Sequence, residues 1–313
     1  MKEYIGVDIG GTKIAIVKGD ELGNISKKVR FENKMTPAEA IERITREVVA
    51  LLPAEAIGIS CGGPLDSERG LILSPPNLPG WDEIPIVKLL REATGLPCFL
   101  QNDADACALA EWKFGAGRGT KNMIFLTFGT GMGAGLILDG KLYSGTNGNA
   151  GEVGHVRLRK TGPIGYGKAG SFEGFASGGG IAQMGKSAAL TAFSWKKTPS
   201  YCPTKDDLDS VTAQSVALAA QAGDETAIGV YKTCGRMLGY GLSMLIDILN
   251  PEKIVIGSIF ARSGELLANS MQEVIDEETL PQSCAVCEIV PAELGESLGD
   301  VAAISVAVNG LNK

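Results

Sequence analysis

A stretch near the amino end of the chain is answered by a second one a domain's length later. YIGVDIGGTKIAIVKGDELG begins at Tyr4 and IFLTFGTGMGAGLILDGKLYSG at Ile124. Each reads as an apolar strand, a Gly/Thr turn and a second strand, and setting Ile9 on Phe128 and Gly10 on Gly129 places the copies 119 residues apart. A self-similar pair at that spacing predicts two lobes built on one plan. The length of 313 residues agrees, because it exceeds what one hydrophobic core usually organises. A cleft is expected between the lobes, with one turn on each side.

Strands and helices interleave along the whole chain, which predicts an α/β protein. Strand-like runs fall at 4–9, 14–18, 56–60, 98–101, 123–128, 135–138, 253–256 and 284–290, and helical periodicity at 37–52, 86–94, 105–114, 212–222, 225–249 and 264–275. No apolar run reaches the roughly eighteen residues of a membrane span. The chain enters its first strand from Met1 without the charged flank, apolar stretch and cleavage site of a secretion signal, so a cytoplasmic protein is expected. Seven cysteines, at 61, 98, 107, 202, 234, 284 and 287, are odd in number and scattered, which fits reduced thiols rather than a disulfide framework. Cys284 and Cys287 form a lone CxxC, expected as two core thiols on the strand 284–290. A net charge of −7 speaks against nucleic acid as a partner.

The turns decide what a cleft would hold. Gly10 and Gly11 let the backbone come close to a ligand, and the turn amides, with the Thr12 hydroxyl and the Lys13 ammonium, suit phosphate oxygens. Gly129, Thr130 and Gly131 repeat the offer in the second copy. One glycine hairpin is often only a tight connection, and two in register are a stronger sign. Asp8, at the end of the first strand, could hold a magnesium ion through water, or else cap the turn amides. A literal GxxxxGK[ST] pattern also occurs, GIAQMGKS at 180–187. That phosphate loop needs a buried strand before it, whereas EGFASGG at 173–179 has no β-branched run and 181–192 reads as the opening of a helix. Lys186 is therefore expected to be a solvated helical lysine.

DIGGTK at 8–13, SPPNLPGW at 74–81, QNDADACALAE at 101–111, GTGMGAGLILDGKLYSG at 129–145 and GNAGEVGH at 148–155 together resemble the ROK family of sugar kinases and repressors, within the actin and hexokinase superfamily. The resemblance covers nearly the whole chain. It implies the two-lobed actin-like (ribonuclease H-like) ATPase fold with an inter-lobe cleft, residues 1–118 and a C-terminal helix 298–313 forming the small lobe and 119–297 the large lobe. It implies ATP-dependent, glucokinase-like phosphorylation of a hexose hydroxyl, at the 6-hydroxyl of glucose or a related sugar, with ATP and Mg2+ as cofactors. An N-acetylhexosamine kinase, a fructokinase and a catalytically silent sugar-binding regulator are the alternatives. The family's repressors carry a winged helix ahead of the first phosphate motif; seven residues precede Asp8, so no DNA-binding domain is expected. The expected partners are a small-molecule sugar and further copies in a homodimer or homotetramer, not nucleic acid or a membrane.

Carried over residue by residue, the resemblance makes Asp103 the acceptor of the attacking hydroxyl's proton. The position agrees, since Asp103 follows the strand 98–101 and precedes the helix 105–114, at the carboxyl end of a strand where open α/β sheets put their ligands. A helix start would keep it ionised, and capping that helix is its alternative role. Gly63, Asn77, Asn102 and Asp103 would meet the sugar from the small lobe, and Glu152, His155 and Glu173 its C1 and C2 end. His155 is the single histidine of the chain. Asp8, Gly10, Gly11, Thr12, Lys13, Gly129, Thr130, Gly131 and Gly257 would hold the nucleotide and its magnesium. Two departures stand out. The family's three cysteines, CxCGxxGC ahead of a glutamate, bind structural zinc with the histidine; aligned on Glu173, this chain has Ile164, Tyr166 and Ser171 instead. Without thiolates no structural zinc is expected, and packing that involves Tyr166 would hold the 160–170 loop. GSIF at 257–260 stands where the family tends to have a glycine run, with Gly257 kept.

Overall fold

Both copies of the echoed hairpin lie at the middle of a five-stranded sheet. In the computed structural model, which describes residues 1–312, the first sheet comprises β1 (Glu3–Ile9), β2 (Lys13–Asp20), β3 (Ile25–Glu32), β4 (Ile57–Cys61) and, after the short pair β5 (Leu65–Asp66) and β6 (Leu71–Ile72), β7 (Cys98–Asn102). Its order is β3-β2-β1-β4-β7, an antiparallel meander continued by two parallel strands. The second sheet comprises β8 (Met123–Phe128), β9 (Met132–Leu138), β10 (Lys141–Leu142) and, after the small hairpin β11 (Ile164–Gly165) and β12 (Lys168–Ala169), β13 (Lys253–Ile256) and β14 (Glu288–Pro291). Its order is β10-β9-β8-β13-β14. The two orders correspond strand for strand, β1 with β8 and β2 with β9, so the sequence echo is one folding plan used twice.

The chain divides into two units. Unit 1 holds Met1–Phe125, Gly135–Ala150 and the chain from Glu293 on; unit 2 holds Leu126–Ala134 and Gly151–Ala292. In unit 1 the odd residues Ile5, Val7 and Ile9 of β1 enter one core with Ile14, Ile16, Ile57 and Ile59, each worth about 1.5–3 kcal/mol when taken from water. Helix α1 (Pro37–Ala50) covers them with Ala40, Ile44 and Val48, spaced four apart on one face. Its start is set by a capping box in which Thr36 and Glu39 satisfy each other's backbone N–H groups. Helices α2 (Ile86–Thr94) and α3 (Asp103–Phe114) complete this stretch of unit 1. Unit 2 adds α4 (Phe172–Phe175), α5 (Gly178–Ser194), α6 (Ala213–Gln221), α7 (Glu225–Leu249), α8 (Ile259–Glu278) and α9 (Pro281–Cys284).

The chain then returns to unit 1 as α10 (Leu298–Leu311). Of the expected helix 298–313, the last residue lies outside the described ones. Helix α10 crosses the face of β1 and β4 opposite to α1, packing Ile304, Ala307 and Val308 on Tyr4, Val17 and Ala56. Gly6 and Gly58 clear its path, since a Cβ at Gly6 would stand 2.8 Å from that of Ala303 and one at Gly58 would overlap the Ala303 carbonyl. Glu111 of α3, fully buried, anchors the return: its carboxylate accepts the N–H groups of Ala116 (2.8 Å), Glu293 (3.2 Å) and Leu294 (2.9 Å).

Three expectations are corrected. Strand β3 went unpredicted because ISKKVRFE is an edge strand with most side chains in water, so it has no apolar signature. The strand expected at 284–290 begins only at Glu288; Cys284 closes α9, Cys287 lies in the turn after it, and both thiols are half-buried rather than in a core strand. Helix α3 begins at Asp103, two residues early, because Asn102 caps it by accepting the Ala104 N–H at 2.9 Å. Among the described residues no helix is long and apolar enough to cross a membrane.

Candidate active site

Register in unit 1 brings the candidate residues of three chain segments to one edge. Ile9 pairs with Cys61 and Cys61 with Asn102, so β1, β4 and β7 run parallel and end level. The residues just past the three strand ends are therefore clustered: Gly10 and Gly11 after β1, Gly62 and Gly63 after β4, Asp103 after β7. A Cβ at Gly62 would lie 3.6 Å from Asn77 Nδ2 and 3.9 Å from Asp103 Oδ2, and one at Gly63 3.3 Å from Asn102 Nδ2. The glycine pair thus leaves open a space edged by two side-chain amides and a carboxylate. Gly62 belongs to this group although the sequence reading named only Gly63; the doubled glycine ahead of Pro64 was the signal.

The first glycine turn is tight and externally gripped. Gly10 N–H donates to the Lys13 carbonyl (3.0 Å), while Asn33 donates its side-chain amide to Gly10 O (2.9 Å) and its backbone N–H to Thr12 O (2.9 Å). A Cβ at Gly11 would overlap the Asn77 carbonyl, so glycine there is a matter of close approach. Thr12 and Lys13 are exposed, and their side chains stand free of the sheet core.

The carboxylates at this edge are perturbed. Asp103 keeps an open face to solvent, yet the protein around it removes enough hydration to raise its carboxyl above the ordinary range. Its Oδ1 accepts the Ala104 N–H at 2.8 Å, which pulls the other way. The helix start, expected to favour the ionised form, acts in the same downward sense as that bond, and the net direction is upward with burial as its first cause. Asp8, on the α10 side of β1, is pushed up to about 6 by burial first and then by the charges of Asp103 and Asp300, against a hydrogen bond from Ser60 and the Arg30 guanidinium. Asp300, which ion-pairs with Lys28, comes from the far end of the sequence, and no local pattern marked it.

In unit 2 the second turn is held by dipoles. Gly129 N–H donates to Gly131 O (3.1 Å), and the Gly129 and Thr130 carbonyls accept from the Gly178 and Gly179 N–H groups (2.7 and 3.3 Å) at the start of α5. Ser177 caps that helix by accepting from Gly180 N–H. A cavity of about 800 Å³, a size suited to a small molecule, is lined by Gly129, Thr130, Gly178, Thr212, Ser258 and Arg262 among others. Gly257 donates its N–H to Leu126 O (3.0 Å) and places Ser258 on the wall without lining it. Ser177, Gly178 and Gly179 were missed by sequence reading, although a serine followed by three glycines is a cap signal. Residues 180–187 lie inside α5 with no strand before them, and Lys186 pairs with Asp209 at 3.3 Å.

Glu152 and His155 are exposed on the segment after β10's loop, whereas Glu173 is half-buried in α4. Glu173 Oε2 accepts the Met132 N–H at 2.9 Å, directly after the second turn. His155 meets Tyr166 edge-on with ring centroids 6.1 Å apart, and Lys168 Nζ donates to the His155 carbonyl (2.7 Å). Tyr166, expected to pack the loop, is 73% exposed. The loop is held by the β11–β12 pairing and by Gln183, which accepts from Ile164 N–H (2.9 Å) and donates to Ile164 O (2.8 Å). Ser171, at a family cysteine position, is fully buried and caps α4: it accepts from Gly174 N–H (3.1 Å) and donates to Gly165 O (3.3 Å).

Comparison with known proteins agrees along the whole chain. The pattern of the ROK family matches residues 4–309. A glucokinase of Halalkalibacterium halodurans is 33% identical over 310 residues, covering 95% of this chain and 92% of the relative. The crystal structure of a ROK hexokinase from Thermus thermophilus matches at 30% identity with a TM-score of 0.82, over 99% of both chains. That of a ROK family glucokinase from Streptomyces griseus in complex with glucose and AMPPNP matches at 30% identity with a TM-score of 0.78, over 97% of this chain and 99% of the other. The expected fold class, α/β and actin-like, holds.

Proposed function

The chain belongs to the ROK family, and from that premise we propose that it is an ATP-dependent kinase that phosphorylates glucose, at the 6-hydroxyl, in the cytoplasm. The observation that carries the reading is the grouping of Asp103 with Gly62, Gly63, Asn77 and Asn102 at the level ends of three parallel strands. Similarity to a glucokinase complexed with glucose and AMPPNP supports the sugar and the nucleotide.

A sugar hydroxyl is a weak nucleophile at neutral pH and gains from a base placed on it. Asp103, whose desolvated carboxylate holds a proton more readily than usual, takes the proton of the 6-hydroxyl. The hydroxyl oxygen forms its bond to the γ-phosphorus as the bond to the β–γ bridging oxygen breaks, and that oxygen keeps the electron pair as ADP leaves. Asn77, Asn102 and the backbone at Gly62 and Gly63 orient the sugar in unit 1. Gly10, Gly11, Thr12 and Lys13 offer amides, a hydroxyl and an ammonium to phosphate oxygens. In unit 2, Gly129, Thr130, Gly131 and the cavity beside Ser258 take the nucleotide, and Glu152, His155 and Glu173 are the residues that the family resemblance assigns to the sugar's C1 and C2 end. Among the described residues no three carboxylates form a chelating group, so the fit is to an ion that keeps its waters and rides on the phosphates, drawn by the negative field that Asp103 and Asp300 put on Asp8. Asp8 would hold the ion through water, and the ion supplies charge neutralisation at the phosphates.

The test is ADP release measured with glucose, fructose, N-acetylmannosamine and N-acetylglucosamine. Glucose should give the highest kcat/KM, by about tenfold or more over the others. A higher value for an N-acetylhexosamine would overturn the choice of sugar, and no turnover with any hexose would overturn the kinase.

A further inference from the structure

Glu173 stands where three segments of unit 2 each carry a glycine. A Cβ at Gly131, in the second turn, would lie 2.7 Å from Glu173 Oε2. A Cβ at Gly154, next to His155, would lie 3.3 Å from the Glu173 Cβ, and one at Gly165, in the loop that carries Ile164 and Tyr166, 2.8 Å from it. The separation at Gly165 is closer than two side-chain carbons tolerate, that at Gly154 is a tight contact, and that at Gly131 is to the movable end of the carboxylate, so all three segments approach Glu173 at glycines. One oxygen is committed: Oε2 accepts the Met132 N–H at 2.9 Å, a charge-assisted bond to the first residue after the turn. The carbonyl of the same Met132 is covered by Gly154, whose added Cβ would overlap it. Glu173 itself is held from behind, since Ser171 caps its short helix and also bonds Gly165.

From this geometry we infer that Glu173 is a positioning residue for the nucleotide: it fixes the turn 129–131 through Met132, and it makes hexose and nucleotide binding cooperative. The inference rests on the kinase reading, in which Glu173 and His155 meet the sugar and the turn meets the nucleotide. A carboxylate that only touched the sugar would have no reason to spend an oxygen on the backbone of the turn. With the oxygen spent there, a sugar that settles Glu173 also settles Met132 and the turn. By thermodynamic reciprocity a nucleotide that settles the turn must tighten sugar binding by the same factor.

The experiment is calorimetric titration of the full chain with AMPPNP, without and with saturating glucose. In the unsubstituted protein glucose should tighten AMPPNP by about fivefold or more. Glu173→Ala should weaken AMPPNP about tenfold even with no sugar present and bring the glucose effect close to one. Glu173→Gln, which keeps an oxygen to accept the Met132 N–H, should restore nucleotide affinity to within about threefold while still binding glucose poorly. Glu173→Asp keeps the charge but shortens the reach to the Met132 N–H, so it should reproduce the nucleotide defect if Glu173→Ala does not fold. AMPPNP affinity unchanged in both Glu173→Ala and Glu173→Asp would overturn the inference and leave Glu173 as a sugar contact alone. Absence of any glucose effect in the unsubstituted protein would overturn the cooperativity. If the unsubstituted protein bound neither glucose nor AMPPNP, the kinase reading itself would fall, which is a separate outcome.

Discussion

Two hairpins of one plan end in turns that differ in what surrounds them. Residues 10–13 follow the buried Ile9 with the partly buried Asp8 one place before it, end in an exposed lysine and lie at the edge shared with Asp103. Residues 129–131 follow the equally buried Phe128 with the uncharged Thr127 in Asp8's place, are held by the amides of α5 and by Glu173, and open onto a cavity. The strand framework is indifferent to this contrast, because hydrogen-bond ladders do not depend on what the turn carries. Duplication therefore let one turn specialise in charge and the other in shape and dipoles, and the chemistry is expected to concentrate around the first.

The largest test of that contrast is Asp103→Asn, which keeps the size and one acceptor oxygen. It should lower kcat by about 10²-fold or more while the KM for sugar changes little. A loss below about tenfold would remove Asp103 from proton transfer and erase the distinction between the turns.

Asp8→Asn sharpens the comparison through pH. The folded carboxyl titrates near 6, against an ordinary value of 3.8. Between those values the fold holds a proton that the unfolded chain releases, so ionising Asp8 costs stability as pH rises from about 4 to 6, and the cost stays constant above. The variant should therefore melt about 2–4 °C higher at pH 8 without magnesium and show no gain at pH 4. Its kcat with magnesium should fall by about tenfold at pH 8. A melting gain that persists at pH 4 would mean that the carboxylate is not under electrostatic stress.

Thr12→Val should raise the KM for ATP or lower kcat by about three- to tenfold, since it deletes a hydroxyl aimed at phosphate charge. Lys186→Ala, which only breaks an ion pair with Asp209 on the surface, should change either by less than about twofold. The reverse ranking would make residues 180–187 the nucleotide loop. The smallest effect expected is none: EDTA should leave Tm unchanged, and protein purified without added zinc should carry well under one equivalent, because Ser171 is spent on capping and Gln183 holds the loop. Stoichiometric zinc that survives dialysis would show that other side chains have rebuilt a site.

What was legible in the sequence had a strong local reason. DIGGTK could be read because close backbone approach at Gly11 admits only glycine, FGTGMG because it echoes that turn, and β4 and α7 because their apolar spacing is dense. Strand β3 was not legible, because it is secured by pairing with β2 rather than by burial. Asp300 could not be placed beside Asp8 from spacing, since only folding of α10 onto β1 brings them together. Glu173 was named as a sugar contact, but its bond to Met132 spans 41 positions and left no trace in either segment alone. Ser171 looked like a lost zinc ligand, and only the geometry shows it as a helix cap.

Glu111 has a consequence for synthesis. Its buried carboxylate sits in α3 and waits for the N–H groups of Glu293 and Leu294, which leave the ribosome after all of unit 2. Until then the face of β1 and β4 reserved for α10 is bare, with Tyr4, Val17 and Ala56 uncovered and Glu111 holding a single donor, Ala116. The nascent chain thus carries a half-built first unit while it folds the second, and the last helix acts as the latch that completes the first. A nascent chain stalled before residue 293 should be cut readily by protease within β1–β4, whereas one extended past residue 311 should resist.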